Sequence, residues 1–204
     1  MSVLDTKFVQ GFIRMCNDGW EQGWHERNGG NLSYRIKDEE VAEVKEFLHY
    51  ENEWKPIGTK VPGLASEYFL VTGSGKYFRN VIIDPEDSIC IIELDEKGEN
   101  YRILWGLVNG GRPTSELPSH LMNHEVKKGV TNVYHAHTTN VIALTFVLPL
   151  EDKVFTREQL LELTIEEHYE KIDRVIDAHV KNLRQKIELD TKKATIIKTV
   201  YGVG

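Results

Sequence analysis

Cysteine is scarce in this 204-residue chain, with only Cys16 and Cys90 present. Both lie in apolar segments, and together they have no ligand-like spacing. That excludes a disulfide framework and a cysteine-based zinc module, and leaves the expectation of two buried thiols in a reducing cytoplasm. Positive charge is not in excess either. A formal net charge of −7 offers no basic stripe to displace counterions, which argues against a nucleic-acid surface. No apolar run approaches the roughly 18 residues of a membrane-spanning helix, and no cationic, apolar leader opens the sequence. Neither a membrane span nor an export signal is expected. Internal repeats and low-complexity segments are also missing.

What is present is ordinary in bulk: 40% hydrophobic and 28% charged residues, typical of a globular protein. The length suits one domain, or one domain with an appendage, and is enough to bury a real core. Eight histidines and four tryptophans exceed what packing alone requires and point to a site.

The pair His135-Ala136-His137 is the strongest local signal. Histidines at i and i+2 on an extended segment share one face. Residues 129–134 read as a short buried strand, and 138–148 as a helix capped by Thr138 or Thr139. The pair thus sits where a strand ends and a helix begins. Neutral imidazoles so placed suit a transition metal such as zinc, and two structural histidines fit the bare pattern as well.

In chain order, Asp5 is placed to cap a first helix ending near Gly23, with Phe8, Phe12, Ile13, Cys16 and Trp20 on one face. Trp24 to Asn31 then leads into a strand over 32–36. Paired glycines between asparagines can aim backbone N–H groups at one anion, or can form a plain hairpin turn. Asp38 to Leu48 reads as a short acidic helix and 49–66 as a loop. A strand over 68–72 runs into Gly73-Ser-Gly-Lys76, a possible phosphate cradle that is not a Walker loop. Strands over 88–94 and 100–107 form a hairpin around Asp95–Gly98.

Ser115 is placed to cap a helix over 116–128, with Pro118 in its first turn. Leu117, His120, Leu121 and His124 share a face of that helix. The two histidines are spaced to ligate a metal, and their leucine neighbours equally suit core or near-site residues. Glu116 opens the helix, where the dipole favours a negative charge. From Thr156, a capping box with Gln159 precedes a long charged helix with a narrow apolar seam, and 194–201 reads as a terminal strand.

Taken together, Glu26-Arg-Asn-Gly-Gly-Asn-Leu32, Val71-Thr-Gly-Ser-Gly-Lys76 with Phe78-Arg-Asn80, Ile103-Leu-Trp-Gly-Leu107, Pro113-Thr-Ser-Glu-Leu-Pro118 and the His-x-His with Thr139-Asn-Val-Ile-Ala-Leu144 resemble the class II aldolase/adducin family, in order and approximate spacing, from about residue 8 to 157. The resemblance implies a three-layer α/β/α fold with a central, mostly antiparallel sheet. A domain over 1–157 is followed by a divergent segment over 158–204, comprising the long helix and the short terminal strand.

The same resemblance implies zinc-dependent aldol cleavage of a ketose 1-phosphate to dihydroxyacetone phosphate and an aldehyde, here L-lactaldehyde. His135 and His137 would be metal ligands for one zinc per subunit, and Glu116 the acid/base. Asn28, Gly30, Asn31, Ser74, Gly75, Thr114 and Ser115 would surround the phosphate. In that family a third zinc histidine follows well after the pair; after Arg157 the sequence matches none of the family pattern, and neither His168 nor His179 stands in a family-like context. A cytoplasmic homo-oligomer, a tetramer, is also implied, with no nucleic-acid or membrane partner. The alternatives are a non-catalytic, adducin-like assembly module, or another sugar-phosphate aldolase or epimerase of the same fold.

Overall fold

The computed structural model describes residues 2–138, together with 141–142, 156, 159, 180–181, 184–185, 188, 190, 193 and 197–200. Two compact units divide the chain, Met1–His137 and Thr138–Gly204.

In the first unit, β1 (Asn31–Arg35), β2 (Lys55–Pro56), β3 (Tyr68–Thr72), β4 (Ile89–Leu94), β5 (Asn100–Gly106) and β6 (Asn132–His135) form one sheet in the order β2-β5-β4-β3-β1-β6. Every pairing is antiparallel. The central strands β3 and β4 carry nearly continuous apolar runs because both of their faces are covered. Leu70, Ile89 and Ile91 face one core, while Phe69, Val71, Cys90 and Ile92 face the other. Helix α1 (Lys7–Glu21) fills the first core with Phe8, Val9, Phe12, Ile13 and Cys16, spaced by three and four residues. Leu117 and Leu121 of the C-terminal helix of this unit (Leu117–Val126) join the second core with Val61 and Leu64. Burying one such leucine or isoleucine contributes about 1.5–3 kcal/mol. The layers are thus helix, sheet, helix, as expected.

The short helices α2 (Asp38–Val44), α3 (Phe78–Val81) and α4 (Pro85–Ser88) connect the strands, and the Leu117–Val126 helix is therefore α5. Both cysteines are buried, and burial pushes each thiol well above its ordinary range, so neither is a ready nucleophile.

Several local expectations are corrected. Asp5 does not cap α1: its carboxylate turns back to the Ser2 N–H at 2.7 Å, closing a short 3-10 turn, and Thr6 stands at the N-cap. The loop over 49–66 contains the edge strand β2, where Pro56 is tolerated because an edge leaves one side of the ladder unpaired. Ser115 is not the cap of α5. Glu116 is, and the Thr114 hydroxyl accepts its N–H at 3.3 Å. The strand expected over 129–134 lies at Asn132–His135 and is half-exposed rather than buried, because β6 is the last strand of the sheet.

In the second unit, Gln159 N–H donates to Thr156 Oγ1 at 3.2 Å and Thr156 N–H donates to Gln159 Oε1 at 3.0 Å, the expected capping box. The N–H groups of Val141 and Ile142 donate to Thr138 O at 2.9 and 3.0 Å, which starts the helix expected there. Residues 197–200 are not a strand. The Ile197 carbonyl accepts from Arg184 and its N–H donates to Glu188, so side chains take the groups a ladder would need. Most of the long helix, with His168, His179 and Tyr201, lies outside the described residues, as does most of 139–148.

Candidate active site

Antiparallel register brings the motifs to one end of the sheet. Asn31, first in β1, pairs with His135, last in β6. Because β3 runs antiparallel to β1, its C-terminal Thr72 reaches the same end, where its hydroxyl accepts the Leu32 N–H at 3.1 Å. Beyond Thr72 the glycine turn is stitched to the segment before α5. Gly73 bridges to Pro113, Ser74 N–H donates to Arg112 O at 2.8 Å, and Thr114 N–H donates to Thr72 O at 2.9 Å. Segments far apart in sequence therefore converge through the ladder, and no local pattern shows that convergence.

Glu116 Oε2 lies 2.8 Å from His135 Nδ1. The oxygen is off the direction a ring N–H would take, so Nδ1, although buried, has no hydrogen-bond partner. The rings of His135 and His137 are 4.8 Å apart, centroid to centroid, and tilted by 50°. His137 lies beyond the end of β6, held by its N–H to Trp24 O at 2.8 Å.

The Asn28-Gly-Gly-Asn31 loop packs directly against the pair. A Cβ on Gly29 would lie 2.9 Å from His137 Nδ1, and one on Gly30 would lie 2.6 Å from the His135 carbonyl. Gly30 also has φ +84°, which a side chain disfavours. These glycines are where backbone must approach the imidazoles.

Of the expected anion site, Thr114 and Asn31 are buried, Gly30 and Ser74 half-buried, and Asn28, Gly75 and Ser115 exposed. The Ser74 N–H is committed to Arg112, which leaves the Ser74 hydroxyl and the Gly75 N–H as the donors of that turn. Lys76 is not available to an anion, since its ammonium contacts Asp87 at 2.5 Å and holds that carboxyl below the usual carboxylate range.

His120 and His124 are not spaced around a common vacancy. Both engage Ser33, at 2.7 and 2.9 Å, and burial lowers both imidazoles, His120 to about 4. Both are therefore neutral near pH 7.

Residue-type reasoning missed two supports. Buried His25 stacks on Phe78 at 3.7 Å and contacts Gly29 O at 2.9 Å and the Tyr134 hydroxyl, tying the glycine loop to β6. Ser33 was visible only as a polar residue alternating with Leu32 and Tyr34. That period-two pattern puts Asn31, Ser33 and Arg35 on the face toward α5.

The donors suit a transition metal. Two imidazoles stand side by side, and one carries a buried nitrogen without a hydrogen bond. Among the described residues, no group of three or more His, Cys, Asp or Glu side chains could hold a metal ion, so this unit supplies two imidazole donors with a carboxylate beside them.

The chain matches the family model for the class II aldolase and adducin N-terminal domain over residues 10–199. It is 49% identical over 170 residues to a rhamnulose-1-phosphate aldolase of Mannheimia succiniciproducens, an alignment covering 81% of this chain and 62% of that protein. It is 46% identical over 162 residues to the corresponding protein of Pectobacterium carotovorum, covering 77% and 59%. The chain thus spans about three fifths of the length of these curated relatives. The crystal structure of a sugar-phosphate aldolase from Thermotoga maritima superposes with a TM-score of 0.56 at 24% identity, covering 87% of this chain and 76% of that one, a likeness of fold.

Proposed function

Because this chain belongs to the class II aldolase and adducin family, we propose that its site carries out zinc-dependent aldol cleavage of L-rhamnulose 1-phosphate to dihydroxyacetone phosphate and L-lactaldehyde. The observation that carries this reading is the approach of Glu116 to His135, at 2.8 Å and off the hydrogen-bonding direction, with His137 alongside. A carboxylate meets an imidazole nitrogen that makes no hydrogen bond of its own. The names of the relatives support the substrate, and the convergence of the glycine turn with Thr114 supports a phosphate handle.

His135 and His137 would hold the zinc. When bound, it would supply a Lewis acid for the negative charge that develops on the substrate carbonyl oxygen.

Retro-aldol cleavage takes a proton from the hydroxyl β to the carbonyl and breaks the bond between the carbon that bears it and the carbon next to the carbonyl, leaving an aldehyde and an enediolate. A proton then returns to the carbon left on the phosphorylated fragment. Glu116 is placed to hold and deliver that proton. At the N-cap of the ten-residue helix α5 its charge is favoured by the dipole, and half-exposure lets substrate reach it. Such proton transfer contributes about 10²–10⁴-fold. Phosphate would be fixed by Gly30, Asn31, Ser74, Gly75, Thr114 and Ser115, with Asn28 at the rim. Fixed amides and hydroxyls position a remote dianion without a mobile lysine.

The reading includes a homotetramer, and sedimentation equilibrium is expected to give the mass of four chains. Its direct test is zinc content after purification without added metal. About one zinc per chain, lost in His135→Ala, is expected. No zinc in the unsubstituted chain, with none taken up on addition, would oppose the reading and favour a non-catalytic assembly module.

A further inference from the structure

Strand alternation sends the neighbours Tyr134 and His135 to opposite faces of β6. His135 meets Glu116, whereas Tyr134 packs against the core filled by α1 and Phe78. His25 lies on the Tyr134 side, 2% exposed, with its ring stacked on Phe78 at 3.7 Å and 11°. Its Nδ1 lies 2.9 Å from the Gly29 carbonyl, and its Nε2 meets the Tyr134 hydroxyl. Both ring nitrogens are engaged within the chain, so His25 is not itself a metal donor.

The partners decide where the hydrogens lie. A backbone carbonyl only accepts, so Nδ1 carries the proton. Burial lowers this imidazole, and a neutral ring protonated at Nδ1 leaves Nε2 bare. The Tyr134 hydroxyl therefore donates to it. Room for that hydroxyl comes from Gly19, inside α1, where a Cβ would overlap it. Glycine is a poor helix former, and this close approach accounts for its place there.

Through these contacts one ring reaches both metal histidines. Tyr134 immediately precedes His135 in β6. Gly29 backs onto His137, since a Cβ there would lie 2.9 Å from His137 Nδ1. Trp24, next to His25 in the chain, accepts the His137 N–H at 2.8 Å. The intervening turn has to be held, because Arg27 is a non-glycine residue at φ +52°. Such a conformation persists only where the surroundings impose it.

We propose that His25 and Tyr134 are positioning residues for the metal pair. The Tyr134 hydroxyl fixes the His25 ring, and the ring's Nδ1–H holds the Gly29 carbonyl, so that the loop seats His137 beside His135. The metal rests on the zinc reading above, whereas the tie between β6 and the loop does not.

The first arm of the test follows amide hydrogen exchange in the full chain without metal. Tyr134→Phe keeps the ring packing and removes the hydroxyl. His25→Leu removes both hydrogen bonds, and His25→Asn keeps one, because its amide nitrogen takes the place of Nδ1. The Gly29 and His137 amides are expected to exchange about tenfold faster in Tyr134→Phe and His25→Leu, the worth of one hydrogen bond. In His25→Asn they should exchange at nearly the original rate. The amides of Leu70 and Ile91, in the central strands, should be unchanged in all three. Unchanged exchange at His137 in both Tyr134→Phe and His25→Leu, or equal acceleration at Leu70 and Ile91, overturns the proposal.

The second arm measures zinc affinity by competition with a chelator. Tyr134→Phe and His25→Leu are expected to weaken zinc binding about tenfold, and His25→Asn to restore most of the loss. Unchanged zinc affinity in folded Tyr134→Phe and His25→Leu also overturns the positioning role. If the unsubstituted chain takes up no zinc, the zinc reading fails, and exchange at Gly29 and His137 alone decides the tie.

Discussion

Glu116 and His120 stand four residues apart and are treated oppositely by their surroundings. Glu116 is half-exposed at a helix start, and its side chain adds little to the core. Glu116→Gln is therefore expected to slow aldol cleavage by about 10²–10⁴-fold with an unchanged melting temperature; an unchanged rate in the purified variant would remove Glu116 from the mechanism. His120 is 2% exposed, and burial lowers it from 6.5 to about 4. The unfolded chain therefore takes up the proton first as pH falls. Stability that is full above about pH 6.5 declines as pH falls toward 4, and this residue contributes no further loss below that. Urea unfolding across this window should show the decline, with a shallower slope in His120→Gln.

At the scale of elements, the site depends on a loop that must touch two imidazoles. Gly30→Ala puts a Cβ at φ +84°, 2.6 Å from the His135 carbonyl. It is expected to cost about 1–3 kcal/mol of stability and to weaken zinc binding together with it. Equal zinc affinity in a destabilised variant would separate the loop from the metal pair.

The same loop illustrates what could be read from sequence. Asn-Gly-Gly-Asn was legible as an anion-directed loop or a plain turn, and the segments of β3 and β4 as strands. What the glycines approach was not legible, because it is set by the pairing of Asn31 with His135 across about a hundred residues. The histidine spacing in α5 suited metal ligation as well as packing. Ser33, on a different strand, resolved it into a hydrogen-bonded pair. Edge position, which side-chain pattern does not encode, made β6 half-exposed and allowed Pro56 within β2.

For the whole molecule, charge and chemistry pull in different directions. A chain of net charge −7 repels a sugar-phosphate dianion at long range, so on the proposed function binding would rely on local amides, hydroxyls and the metal. Salt screens that repulsion, and the KM for the sugar phosphate is expected not to rise with ionic strength. A steep rise would indicate attraction by a basic surface.

Glu116, His135 and His137 are proposed to act together in one aldolase site. Its most direct measurement is the release of dihydroxyacetone phosphate from L-rhamnulose 1-phosphate by the purified full chain, before and after chelation and with zinc restored. Release that chelation abolishes, zinc recovers and Glu116→Gln suppresses is expected. No release from a chain shown to be folded and loaded with zinc would contradict the proposal.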